Sequence, residues 1–155
     1  MRWCMLGFGV VIWAFVSATG EYRPAAANAQ DKDKQDALIK RGDYLVNKVS
    51  RCGDCHTPRK DNGELDTSKH LQGATTWFAP LPNIKFKKWD KTVPDITKSG
   101  MASKWSEEKL ITFFSAGVQV NMPMPAYNLT LEDAQAVTAY LRSLPGTKKG
   151  AAKKE

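Results

Sequence analysis

The segment Cys52-Gly53-Asp54-Cys55-His56 constrains this chain more than any other feature. Two thiols separated by two residues, with a histidine directly after the second, form the attachment pattern for c-type haem. On one turn of helix the two sulfurs reach the two vinyl groups of a porphyrin and form thioethers. His56 is then carried under the ring, where its imidazole binds iron from the proximal side. A covalent macrocycle also adds apolar core that a small chain otherwise lacks.

Other chemistries fit the five residues less well. A redox dithiol of the thioredoxin kind sits in a βαβ pattern that is absent here. A zinc site wants four ligands, and beyond the motif the sequence offers only Cys4 and His70. Cys55 and His56 are neighbours and are badly placed to share one tetrahedral ion. A disulfide between Cys52 and Cys55 leaves His56 unexplained. A second C-x-x-C-H is absent, so one haem is the upper limit.

The N-terminus points to export. Arg2 is followed by an apolar run, Trp3 to Ala18, and a polar stretch ends in Ala27-Asn28-Ala29. A charged start, an apolar middle and a small-x-small site form a secretory signal peptide, here residues 1–29. The competing reading is an uncleaved anchor, although the run is shorter than the ~20 apolar residues of a spanning helix. Cys4 lies at the very start of the run and is badly placed for a lipoprotein cysteine, which would follow it. Exported thiols usually end as disulfides, and the haem motif uses both cysteines of the mature chain. This indicates the periplasm. The mature chain of about 125 residues has the size of one domain, residues 30–147, followed by a basic, low-complexity tail, 148–155.

Within that domain, Leu38, Ile39, Leu45, Val46 and Val49 recur at helical spacing, which predicts a helix from Asp36 to Ser50 after a frayed, charged stretch, 30–35. Gly42 interrupts its pattern, as a glycine does where another backbone comes close. Thr57 to Lys104 has little periodicity and seven Pro or Gly residues, including Pro58, Gly73 and Pro94. So long a loop suits a compact domain only if it wraps a bound group. Ser106 with Glu107 and Glu108 predicts a helix start, Trp105 and Leu110 a hydrophobic staple across it, and Gly117 a stop. Thr130 with Asp133 predicts the cap of a last helix, its apolar face Leu131, Ala134, Val137, Ala139, Tyr140, Leu141 and Leu144, ended by Pro145 and Gly146.

The candidates for the sixth iron position are His70, Met101, Met122 and Met124. A single methionine is more often core filler than ligand. In Met122-Pro123-Met124-Pro125, however, two prolines flank Met124 and fix an extended loop just before the last helix. Such a loop holds a weak thioether at low entropic cost. Met124 is therefore preferred, with Met122 as the alternative. His70, on a polar loop, is expected at the surface.

Taken together, the chain resembles a class I c-type cytochrome, and most closely the single cytochrome domains of cytochrome subunits of bacterial membrane-bound dehydrogenases. The resemblance rests on Arg41 to Val46, Cys52 to Arg59, His70 to Gly73, Pro94 to Thr97, Trp105 to Glu108, Met124 to Tyr127 and Ala139 to Pro145, in order along the chain. It implies an all-α cytochrome c fold, a small helical domain wrapped around one covalently bound haem c. It also implies that the first and last helices cross near Gly42 and Tyr140, and that the methionine before Pro125 is the distal ligand. Two departures bear on haem exposure and partner choice. Ala126 stands where family members often carry an aromatic residue, and Lys85 to Val93 looks like an insertion rich in Lys and Trp.

A His/Met haem with both axial positions filled has no open site for substrate or oxygen, and methionine ligation raises its potential. This predicts a one-electron carrier rather than an enzyme, with no small-molecule substrate. The alternatives are a haem enzyme or sensor with a displaceable sixth ligand, and a cytochrome subunit of a dehydrogenase complex. Net charge is +7, and loss of Arg2, Arg23 and Glu21 with the signal leaves the mature chain basic. Lys85, Lys87, Lys88 and Lys91 cluster near Trp89. On a carrier, such a patch steers docking to an acidic partner: a dehydrogenase, an oxidase or another cytochrome. Export disfavours nucleic acid, and membrane association would come through a partner complex.

Overall fold

A computed structural model describes residues 25–86 and 88–146. The apolar run, Lys87 and the basic tail lie outside the described residues. The fold is helical: α1 (Ala25–Tyr44), α2 (Gly53–His56), α3 (Met101–Lys104), α4 (Glu107–Ser115) and α5 (Leu131–Ser143), with a two-residue antiparallel ladder of β1 (Ala74–Thr75) and β2 (Thr92–Val93).

Helix α1 begins well before the expected Asp36. Residues 25–35 are rich in Ala, Gln and Lys, good helix formers, and the helix runs through them with Gln30 to Gln35 exposed. The expected cleavage point after Ala29 falls within this helix. A π-helical turn, Leu45–Val49, continues α1. Leu45 and Val46 enter the core, but Val49 emerges 56% exposed, because the wider turn shifts the apolar face out of its 3.6-residue register.

The principal helix contact is α1 against α5. Gly42 makes it possible: a Cβ there would collide with the Ala136 carbonyl oxygen and lie 2.6 Å from the Tyr140 Cβ. Arg41 Nε donates to Asp133 Oδ1 at 2.8 Å and the same guanidinium reaches Oδ2 at 3.1 Å, closing the crossing at its rim. The expected crossing of first and last helices is thus present.

Both expected caps are in place. The Ser106 hydroxyl accepts from Lys109 N–H, and that of Thr130 from Asp133 N–H. The apolar face of α5 differs in detail. Leu131, the first residue of α5, is 60% exposed, while Ala136 and Thr138 are buried instead.

Between α2 and α3 the chain is irregular, as its lack of periodicity suggested. It is nevertheless closely tied. Gly73 N–H donates to the His56 carbonyl at 2.8 Å, and Ile96 N–H to that of Leu71 at 3.1 Å.

Candidate haem pocket

A cavity of about 440 Å³ lies between α2, α4, α5 and the segment before α5. Cys55 and His56 line it from α2, and Cys52 from the N-cap of that turn. Leu110, Phe113 and Phe114 line it from α4, and Val137 and Leu141 from α5. Pro94, Ile96, Met101, Pro123, Met124, Pro125 and Tyr127 complete a lining that is mostly apolar.

The single turn α2 brings the motif together. His56 N–H donates to the Cys52 carbonyl at 2.9 Å, and Cys52 N–H to that of Val46 at 3.0 Å. The two thiols are not joined as a disulfide. Burial pushes the Cys52 thiol up to about 11, against the effect of its hydrogen bond with Tyr127, and it raises Cys55 as well. Both sulfurs are therefore thiols at neutral pH.

His56 is 4% exposed. Its Nδ1 donates to the Pro94 carbonyl oxygen at 2.8 Å. A carbonyl only accepts, so the proton sits on Nδ1 and the lone pair on Nε2. Burial holds the imidazole below its ordinary range and keeps it neutral. Nε2 is buried and has no protein partner. A buried polar atom without a partner is costly unless a bound group satisfies it, and a metal-ligating histidine characteristically donates its other N–H to a carbonyl. This orphaned nitrogen, two free thiols on the same turn and an apolar cavity together fit a covalent haem.

The four candidates for the sixth position are distributed unequally. Met101 and Met124 line the cavity; Met122 and His70 are not among its lining residues. The Met122 sulfur lies 3.9 Å from Gln119 Nε2. His70 is half-buried rather than at the surface, which corrects the expectation from its polar loop. Its Nε2 pairs with Asn47 Oδ1 at 3.0 Å and its Nδ1 faces Thr57 Oγ1 at 3.5 Å. Asn47 in turn donates to the Tyr140 hydroxyl at 2.8 Å and to Asp43 Oδ1 at 2.7 Å. This polar network pins the loop to α1 and α5 and occupies both ring nitrogens. Sequence reasoning gave no role to Asn47, Gln119, Asp90 or the Pro94 carbonyl. Side-chain amides and backbone oxygens carry no spacing signal, so only the fold reveals them.

These features define a helical haem-binding domain. A family model of cytochrome c matches residues 39–145. The chain is 29% identical over 146 residues to the cytochrome c subunit of alcohol dehydrogenase (quinone) from Gluconobacter oxydans, a match covering 82% of this chain and 28% of that protein. It is 34% identical over 108 residues to a diheme cytochrome c-type protein of Cereibacter sphaeroides, covering 68% and 35%. Against the fructose dehydrogenase cytochrome subunit of Gluconobacter japonicus it is 32% identical over 115 residues, covering 68% and 22%. The matches thus span at most 35% of the length of these three relatives. The chain belongs to the cytochrome c family, whose members bind haem c covalently and transfer electrons.

Proposed function

We propose that this chain is a mono-haem electron carrier that works outside the cytoplasm, with haem attached through Cys52 and Cys55 and iron held by His56 and Met124. The observation that carries the reading is the buried, partnerless Nε2 of His56 on the same turn as two free thiols. Cys52 and Cys55 would hold the haem as thioethers, each thiol adding across a vinyl group with its sulfur bonding one carbon and its proton going to the other. Bound haem supplies a one-electron iron couple.

The protein's own groups prepare the site. The Pro94 carbonyl fixes the His56 tautomer, so Nε2 presents a lone pair. The apolar walls from α4 and α5 exclude water. Met124 is favoured over Met101 because Met101 belongs to the segment that already buttresses His56: its N–H donates to the Asp95 carbonyl, next to Pro94. Met124 comes from a separate loop. If His56 and Met124 both hold the iron, no position would be left for a substrate, which favours a carrier over an enzyme or sensor.

The relatives include cytochrome subunits of dehydrogenases, which supports a role beside a dehydrogenase, either as a carrier or as part of a complex. The exposed Lys85, Lys88 and Lys91, of which the last two flank the cavity-lining Asp90 in sequence, favour an acidic docking partner. The N-terminal 29 residues, read as an export signal, support a periplasmic location.

Acid–acetone extraction of protein matured with the haem-attachment machinery tests the core of this reading. The colour should stay with the polypeptide, and intact mass should rise by one haem. Colour that extracts freely, or zinc in place of iron, would overturn it.

A further inference from the structure

The loop that carries Met124 has little burial to hold it. Val118, Gln119, Val120 and Asn121 are all exposed. It is closed at its base by Gly117 N–H donating to the Tyr127 carbonyl at 2.9 Å. Internally, Gln119 Nε2 donates to the Met124 carbonyl at 3.0 Å and to that of Val120 at 3.0 Å. Neither contact reaches the rest of the protein beyond the loop and its immediate stem.

At the stem Tyr127 also bonds Cys52; among the described residues, the hydrogen bonds from the outer part of the loop, 118–124, to another part of the chain converge on one residue. Asp90 N–H donates to the Met122 carbonyl at 2.8 Å. Asn121 Nδ2 donates to Asp90 Oδ2 at 2.9 Å, and Lys88 Nζ lies 3.4 Å from Oδ1. Trp89 and Met122 form a parallel bridge. Asp90, Asn121 and Met124 all line the cavity.

The Asp90 end of this tie is anchored. Thr76 N–H and hydroxyl both donate to the Lys91 carbonyl, at 2.9 and 3.0 Å, beside the β1–β2 ladder. The Trp89 ring packs edge-on against Phe78, with centroids 5.7 Å apart, and at a tilt against Phe86, with centroids 5.3 Å apart. The lysine- and tryptophan-rich segment is thus a built support on which Asp90 is mounted.

We propose that Asp90 is a positioning residue: through its carboxylate on Asn121 and its N–H on Met122, it holds the methionine loop closed and keeps Met124 on the iron. This rests on the assignment of Met124 as ligand. A thioether is a weak, neutral donor. Its replacement by an added ligand is governed by how often the loop opens, and a charge-assisted hydrogen bond that spans the loop opposes opening.

The test is a titration of the oxidised holoprotein with imidazole, followed by loss of the weak near-red band of methionine-ligated ferric haem. Asp90→Ala should bind imidazole roughly tenfold more tightly than wild type, in keeping with loss of one hydrogen bond to a charged group. Asn121→Ala should do the same, and the double variant should exceed neither by much, because both remove one interaction. Asp90→Asn keeps an acceptor for Asn121 and should restore most of the wild-type affinity. If Asp90→Ala does not mature, Asn121→Ala and Asp90→Asn still carry the comparison. Wild-type imidazole affinity in these variants, with the band lost in Met124→Ala, would overturn the positioning role and leave the ligand assignment standing. A band that survives Met124→Ala would overturn both.

Discussion

Gly42 of α1 lies against Tyr140 of α5 so closely that a Cβ at Gly42 would fall 2.6 Å from the Tyr140 Cβ. The Ala136 carbonyl blocks the same space and, being backbone, cannot swing away. The two terminal helices therefore meet at a point where only hydrogen fits, and the cavity walls carried by α5 are placed by that contact.

Gly42→Ala should consequently destabilise the holoprotein by about 3 kcal/mol, the upper end of the cost of overpacking. It would separate α1 from α5 and loosen Val137 and Leu141 at the cavity. Guanidinium unfolding of holoprotein, read by haem absorbance, measures this. A loss below about 0.5 kcal/mol, the range of neutral surface changes, would show that the crossing relaxes freely.

The methionines should separate cleanly by spectroscopy. Met124→Leu should abolish the near-red band, because its thioether is the one offered to iron by the loop before α5. Met122→Leu should keep it, since Met122 is not among the cavity-lining residues and its sulfur lies beside Gln119. Met101→Leu should also keep it, with at most a small change in potential from altered packing. Loss of the band in Met101→Leu alone would transfer the ligand role to α3.

His70 should make stability depend on pH. Its neutral imidazole is satisfied on both sides, donating from Nε2 to Asn47 Oδ1 and accepting at Nδ1 from the Thr57 hydroxyl. Burial lowers its pKa from the ordinary 6.5, with Asp43 opposing. The unfolded chain then binds the proton more readily than the folded one. The stabilisation is complete above the ordinary value and is lost as pH falls through the depressed folded value. The stability gap between wild type and His70→Gln should therefore be largest near about pH 8 and shrink towards about pH 5, across the histidine range. A gap that is constant over this range would show that the network tolerates the charge.

Legibility in the sequence followed the range of each interaction. The motif turn and the caps at Ser106 and Thr130 are local, and each stands where its residues predicted. Gly42 announced a close contact by interrupting an apolar pattern, and the resemblance supplied its partner. The burial of His70 was hidden because it depends on Asn47 and Tyr140, 23 residues before it and 70 after it in sequence. Val49 and Leu131 fit their helical faces by spacing, but the π turn carries Val49 outward and Leu131, at the first position of α5, is left in solvent. The Asp90 tie, which joins a segment that reads as an insertion to the methionine loop, has no pattern in either segment.

The basic surface should act on encounter rather than on affinity alone. Lys88 and Lys91 are exposed on the stretch that carries Asp90 and Thr92, which line the cavity, and the exposed Lys85 precedes them in the chain, so negative reactants should be drawn to that edge. Stopped-flow oxidation of the reduced protein by an anionic and by a cationic inorganic complex of similar driving force separates charge from chemistry. The anionic oxidant should react faster at low salt, and its advantage should fall as salt rises, since exposed charges are screened over ~10 Å at 0.1 M. Lys85→Glu with Lys91→Glu should remove much of the advantage at low salt and change little at high salt. Lys88 is better left in place, because it also pairs with Asp90. Equal rates for the two oxidants at all salt concentrations would show that electrons leave at an edge that these lysines do not border.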